Sequence, residues 1–139
     1  MRYKDFYTEL GKLLFAIAKA DGRVGAKEFD AMKKIVKEEL VALEDSTDEF
    51  GTDNAYYTEM EFSYLQENFG DPESGFSSFL DFLDTHQSAF TPALKELVSK
   101  ISVRIANTEY GINPQEKKYL DRLAEKMEKV GYLKVGKSI

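Results

Sequence analysis

Four carboxylates recur at matched places in two short stretches of this 139-residue chain. Asp21 and Glu28 stand in the first and Glu109 and Glu116 in the second, each residue of the second lying 88 positions after its counterpart. Such residues can do two kinds of work. A Glu at the third position of a helix reaches back to the amide of the capping residue and meets the positive helix end. Four carboxylates brought together by a pseudo-twofold fold can instead hold a hard cation, Ca2+ or Mg2+, through their oxygens. Residue types alone leave both readings open. Asp21-Gly22-Arg23-Val24 followed by Glu28 also resembles the end of an EF-hand loop. With Gly22 at the sixth loop position, Ile17 and Lys19 fall at the first and third, where calcium needs oxygen ligands. In the second stretch Ile105 takes the first ligand position and Tyr110 replaces the central Gly. Neither stretch is an EF-hand.

Other chemistry has less to stand on. The chain has no Cys, which removes disulfides, thiolate zinc sites and cysteine nucleophiles together. Its one His, His86, reads as a surface or capping residue near a helix end, where a cation suits the negative dipole. No Gly-rich phosphate loop or nucleophile elbow is present, so no catalytic residue is assigned. A hydrolase working with a carboxylate pair stands as a distant third reading, since acidic pairs are plentiful in any acidic protein and their spacing singles out no residue.

The charge is unevenly placed. Between Glu38 and Leu94 there are 14 Asp and Glu and no Lys or Arg, while the segments on either side each carry a net charge of +4. Nucleic acid is excluded as a partner by the overall charge of -6. The acidic middle reads as a solvated surface, as a docking face for a basic protein partner, or as a weak cation site in the loop. Asp45, Asp48, Glu49 and Asp53, with Tyr56 and Tyr57, are the candidate contacts, and Phe76 is a further exposed candidate. The basic arms can meet this middle within one molecule or across a homodimer, an attraction that weakens with salt.

Six helical stripes must position these residues. Tyr3, Phe6, Leu10, Leu13, Leu14 and Ile17 form the first, which should stop near Ala20 before the Asp21-Gly22 turn. Phe29, Met32, Ile35, Val36, Leu40 and Leu43 form the second, starting after Gly25. Residues 44–54 have no apolar period and read as an exposed acidic loop. Tyr56, Met60 and Tyr64, with Phe62, Leu65 and Phe69 offset from them, predict a third helix closed by Gly70-Asp71-Pro72. Phe76, Phe79, Leu80, Leu83 and Phe90 support a fourth. Thr91-Pro92 opens a fifth over Leu94, Leu97, Val98, Ile101 and Ile105, with Thr as cap and Pro where no donor is needed. Asn113-Pro114-Gln115-Glu116 opens a sixth over Leu120, Leu123, Ala124, Met127 and Val130, which Gly131 ends. The expectation is one all-α domain over residues 1–131, a bundle of six or seven helices, with a loosely ordered tail over 132–139.

The two carboxylate stretches are also the most alike parts of the chain. Ala18 to Glu28 aligns without a gap on Ala106 to Glu116, sharing the Ala, the acid, Val24 with Ile112, and the Glu. Met32 with Leu120 and Ile35 with Leu123 extend the match. Each unit reads as helix, acidic turn, buried aliphatic and helix start, with Gly22 turning the chain and Val24 or Ile112 pinning the angle between helices. Two such hairpins predict a pseudo-twofold bundle.

Leu13-Leu14-Phe15-Ala16-Ile17-Ala18-Lys19-Ala20-Asp21-Gly22-Arg23-Val24, with Glu28 beyond it, resembles the signature of the TerB-like (tellurite-resistance protein B) superfamily. That superfamily also supplies the N-terminal domain of some membrane-anchored J-domain co-chaperones. The second unit carries Glu109-Tyr110 where Asp-Gly would stand. The resemblance implies an all-helical bundle of bacterial stress response with a proposed acidic, metal-binding site and no established catalytic activity. A non-enzymatic binding or scaffold module working through its acidic middle is therefore the leading expectation, ahead of a dedicated divalent-metal-binding protein. Met1-Arg2-Tyr3-Lys4-Asp5 lacks the apolar core of a secretory signal, and no apolar run reaches the ~18 residues of a membrane span. Cytoplasmic location without membrane insertion is expected.

Overall fold

From Leu13 to Ala18 every side chain of the first helix is buried, which makes that helix the axis of the molecule. The computed structural model describes residues 1–20, 26–43, 49–108 and 111–129; side chains of residues 26, 41–43, 49–55 and 129 fall outside that description. The helices are α1 (Tyr3–Ala18), α2 (Ala26–Leu43), α3 (Glu49–Glu67), α4 (Pro72–Thr85), α5 (Pro92–Ala106) and α6 (Pro114–Lys129). A short 3-10 turn, Gln87–Ala89, joins α4 to α5, and no strand occurs among the described residues. The fold is an all-α bundle.

Small residues let α1 sit at the centre. Gly11 faces α3 so closely that a methyl group there would lie 2.7 Å from the Thr58 carbonyl oxygen. Gly75 of α4 approaches the Lys12 carbonyl in the same way. Thr58 fixes the α1–α3 crossing further by donating its hydroxyl to the Tyr7 carbonyl at 2.7 Å. Around α1, α2 packs on α3 and α5, while α6 packs on α5, α1 and α4. Aromatic rings fill both ends of the core. Phe15 meets Phe62 edge-on at 5.6 Å and Phe62 meets Phe29 at 5.8 Å, while Phe6, Phe79 and Phe82 surround Phe90.

The hairpin symmetry holds in part. The contacts of α2 with α5 and of α6 with α1 are the reciprocal pair that exchanging two hairpins would produce. The axial roles differ, because α1 is enclosed by its neighbours while α5 exposes Ala93, Glu96, Lys100 and Val103.

Local starts and stops follow the chemistry of the termini. Thr91 caps α5 by accepting from the Leu94 amide at 3.2 Å, as its sequence predicts. Asp71 caps α4 by accepting from the Ser74 amide at 2.9 Å, so Asp71-Pro72 is the opening of a helix as well as a stop.

Four expectations are corrected. The segment 44–54 is not all loop, since α3 begins at Glu49; an acid at the first position suits the positive end of a helix without any apolar period. α3 ends at Glu67, before Gly70: Phe69 takes the left-handed conformation at φ 53°, and the Gly70 amide donates to the Leu65 carbonyl at 2.7 Å. Phe76 is fully buried, because Arg122 and Tyr119 of α6 close over its ring. Ile112 is 42% exposed and does not pin the turn. It precedes the Asn113 cap, where an aliphatic residue packs only if the fourth helical position is apolar, and that position is Lys117.

Candidate interaction surface

At the second turn, the carboxylate does the work of a cap. Glu116 accepts from the Asn113 amide at 3.0 Å, and Asn113 Oδ1 accepts from the Glu116 amide at 2.8 Å, a closed capping box. Glu116 is buried in that role, and Glu28, its counterpart at the third position of α2, is buried as well. Asp21, Gly22, Val24 and Glu109 lie outside the described residues, as do Asp45 and Asp48. Among the described residues no three potential ligands come together as a metal site.

Much of the acidic middle is occupied by the basic arms of the same molecule. Arg122 binds Glu73 through both guanidinium nitrogens at 2.8 Å, and its plane lies over the Phe76 ring, 4.5 Å from its centre. Hydrogen bonding to Arg122, and secondarily the charge of that guanidinium, holds the Glu73 carboxyl below its ordinary range. Lys126 reaches Asp84 at 2.6 Å. Arg104 joins Glu38 and Glu39 at 2.9 and 2.8 Å, and Lys100 adds to Glu39 at 3.4 Å. Glu9, Lys12 and Ser78 tie α1 to α4, with Ser78 donating to Glu9 at 2.7 Å and Lys12 lying 2.9 Å from Glu9. His86 occupies the C-cap of α4, its Nδ1 2.9 Å from the Phe82 carbonyl oxygen and its ring against Phe82.

Among the described residues, one face is left without such cover. α3 is apolar on two opposite sides, as its offset stripes allow. Thr58 and Phe62 are buried inward, with Leu65 beside them and Glu61 at the α1 border. On the opposite side, Tyr56 is 58%, Met60 46% and Tyr64 59% exposed. These three residues are four apart, so they form one ridge along the helix. Together with Phe29 of α2, Ser63, Glu59 and Glu67 they line an open cleft of about 290 Å3. Glu59 and Glu67 form no ion pair among the described residues. Lys33 sits on the α2 border, its ammonium 5.4 Å from the centre of the Phe29 ring.

Of the predicted contact residues, Tyr56 is on this face. Tyr57 is not: its ring packs against the core edge under the Lys4 ammonium, 5.3 Å away. Glu49 and Asp53 lie on the first turns of α3, with their side chains outside the described residues. Met60, Tyr64, Glu59, Glu67 and Phe29 are members that sequence reasoning placed elsewhere or passed over. Their signal was the spacing itself, since two stripes half a turn apart on one helix cannot both face a single core.

Two larger clefts flank α5. One of about 750 Å3 runs between Glu39, Leu97, Lys100 and Arg104, and one of about 590 Å3 lies beside Lys95, Ser99, Ala124 and Met127. Buried Lys95 donates to the Met127 carbonyl at 3.0 Å, tying α5 to the last turn of α6, and burial pushes its ammonium below the ordinary lysine value. Among the described residues no helix is long and apolar enough to cross a membrane. No family model matches the chain, and no curated protein and no solved structure matches it.

Proposed function

We propose that this protein is a non-enzymatic binding module that recognises a protein partner through the outer face of α3. The observation that carries the reading is the ridge of Tyr56, Met60 and Tyr64, apolar and exposed on a helix whose opposite face already fills the core. Aromatic residues and Met are the types enriched where proteins meet, and contiguous exposed patches of them mark interaction sites. Of the carboxylates that a metal reading would use, Glu116 already closes a cap, and in the acidic middle Glu73 and Asp84 neutralise cations of α6. The TerB-like resemblance of Leu13 to Val24 belongs to the same proposal, with a cytoplasmic stress-response scaffold as its setting.

Site-specific photo-cross-linking tests it. A photoreactive residue placed at Met60 or Tyr64 in the native cell should give discrete adducts that are absent when it is placed at exposed Lys118 on α6. Adducts no different from those at Lys118 would overturn the reading.

A further inference from the structure

We infer that the partner presents a basic amphipathic helix to the α3 face, with one apolar side chain seated in the cleft and Lys or Arg opposite Glu59 and Glu67. This inference rests on the interaction surface proposed above. Tyr56, Met60 and Tyr64 form a row at four-residue intervals, and such a row is the ridge that interlocks with the groove of a second helix. An added strand would need an exposed sheet edge, and no strand occurs among the described residues. The cleft of about 290 Å3 between this ridge and Phe29 lies at the small end of the range for ligand pockets, which suits a single anchor residue such as Leu or Phe.

Charge then selects the partner. Glu38, Glu39, Glu73 and Asp84 are matched by Arg104, Lys100, Arg122 and Lys126 of the same chain. Glu59 and Glu67 line the cleft and have no such cation among the described residues. They stand eight residues apart, about 12 Å along the helix at 1.5 Å per residue. A partner helix meets that span with basic residues at positions i and i+7 or i+8. A second copy of this chain fits less well, because two copies of the face would bring four carboxylates together against only the one Lys33 at the border of each cleft.

The test uses the full chain and synthetic helical peptides of about 18 residues. One carries Leu and Phe in a stripe with Lys at i and i+7, one has those Lys replaced by Glu, and one has the basic composition scrambled so that no stripe forms. Binding is read by fluorescence anisotropy and by amide chemical shifts at low salt. The basic amphipathic peptide should bind and shift the amides of Tyr56, Met60 and Tyr64. The charge-reversed and scrambled peptides should bind at least about tenfold more weakly, and Glu59→Gln with Glu67→Gln should weaken the basic peptide by about tenfold, the reach of two ion pairs at a partly desolvated surface. Met60→Ser should weaken it too while leaving the melting temperature within about 2 °C, as expected for an exposed site. Equal binding of the basic and acidic peptides, no effect of the paired Gln substitutions, or shifts confined to the α5 clefts overturns the inference. So does a dimer in sedimentation that Met60→Ser dissolves, since the occupant is then a second copy. Specific cross-links at Met60 alongside peptide binding without charge preference would leave the interaction surface standing and remove only the basic helix.

Discussion

Substituting Gly11 by Ala tests whether the α1–α3 crossing is set by contact between backbones. A Cβ at this position would lie 2.7 Å from the Thr58 carbonyl oxygen and 2.9 Å from Glu61 Cβ, where ordinary contact begins near 3.4 Å. The nearest obstacle is a helix backbone, which cannot rotate aside as a side chain end can. α3 must therefore move outward by about 0.7 Å, a shift that forfeits a sizeable part of the dispersion energy along the contact. The Thr58 hydroxyl bond to the Tyr7 carbonyl would stretch with it, and so would the edge contact of Phe62 with Phe15. Overpacking of this kind costs about 1–3 kcal/mol and the weakened neutral hydrogen bond about 1 kcal/mol more. Against this, Ala favours a helix interior over Gly by about 1 kcal/mol. The net loss is about 1–3 kcal/mol, or a fall in melting temperature of roughly 4–10 °C for a chain of this size. Thermal and urea melts followed by circular dichroism measure it. Gly75→Ala is the internal comparison: its Cβ would meet the Lys12 carbonyl at 3.0 Å, so the loss should be smaller. A Gly11→Ala variant as stable as the parent, or less damaged than Gly75→Ala, refutes the argument.

Ser102→Ala should raise stability by about 1 kcal/mol, because the Ser102 hydroxyl is buried without a hydrogen-bond partner among the described residues and Ala is the better helix former; a lower urea midpoint would show that the hydroxyl is bonded. Glu61→Gln should raise the melting temperature at neutral pH, because burial raises the Glu61 carboxyl above its ordinary value, with Glu9 adding to the shift and Lys12 opposing it. A raised folded-state value means that Glu61 contributes full stability below about pH 4.3 and loses it as pH rises through the folded value. The advantage of Gln should therefore vanish in acid and grow toward pH 7, and a constant difference across that range excludes the assignment. Millimolar Ca2+ or Mg2+ should leave the melting temperature unchanged, since Glu116 is engaged by Asn113; a rise of several degrees that Glu28→Gln abolishes would restore a cation site at the turns.

What could be read in the sequence was the local chemistry. Thr91-Pro92 and Asn113 to Glu116 act within one helical turn, so their caps needed no knowledge of the fold. The same holds for the six apolar stripes and the all-α class. What could not be read was set between elements distant in sequence. The spacing showed two stripes on α3, but the side that faces the core depends on Thr58 meeting Gly11 across the bundle. Phe76 looks like a candidate contact until Arg122, 46 positions later, closes over it. Ile112 looks like its repeat partner Val24, yet the residue five places on is Lys117 in one copy and Phe29 in the other. The repeat thus keeps the Glu at the third helical position and changes the residue that follows it.

The end of α3 carries the same conflict between local and distant demands, and it can be tested directly. Phe69 occupies the left-handed position that usually belongs to Gly, at φ 53°, and its side chain is 86% exposed. The glycine stands one residue later. At Gly70 a methyl group would meet Leu65 Cδ2 at 2.8 Å and the Leu65 carbonyl oxygen at 3.3 Å, while the Gly70 amide must reach that same carbonyl. Close approach therefore claims the glycine, and the left-handed turn falls on a bulky residue. A left-handed residue other than Gly or Asn costs about 1–2 kcal/mol, and so exposed a ring buries too little area to offset that. Phe69→Asn should accordingly stabilise the protein by about 1 kcal/mol, with the Asn68 side chain still donating to the Tyr64 carbonyl at 2.8 Å. It should also leave binding at the α3 cleft intact, because Phe69 does not line it. Stabilisation with loss of peptide binding would extend the interaction surface to the end of the helix. A fall in the melting temperature would mean that the ring is held by contacts worth more than the strain, and the account of this turn would be wrong.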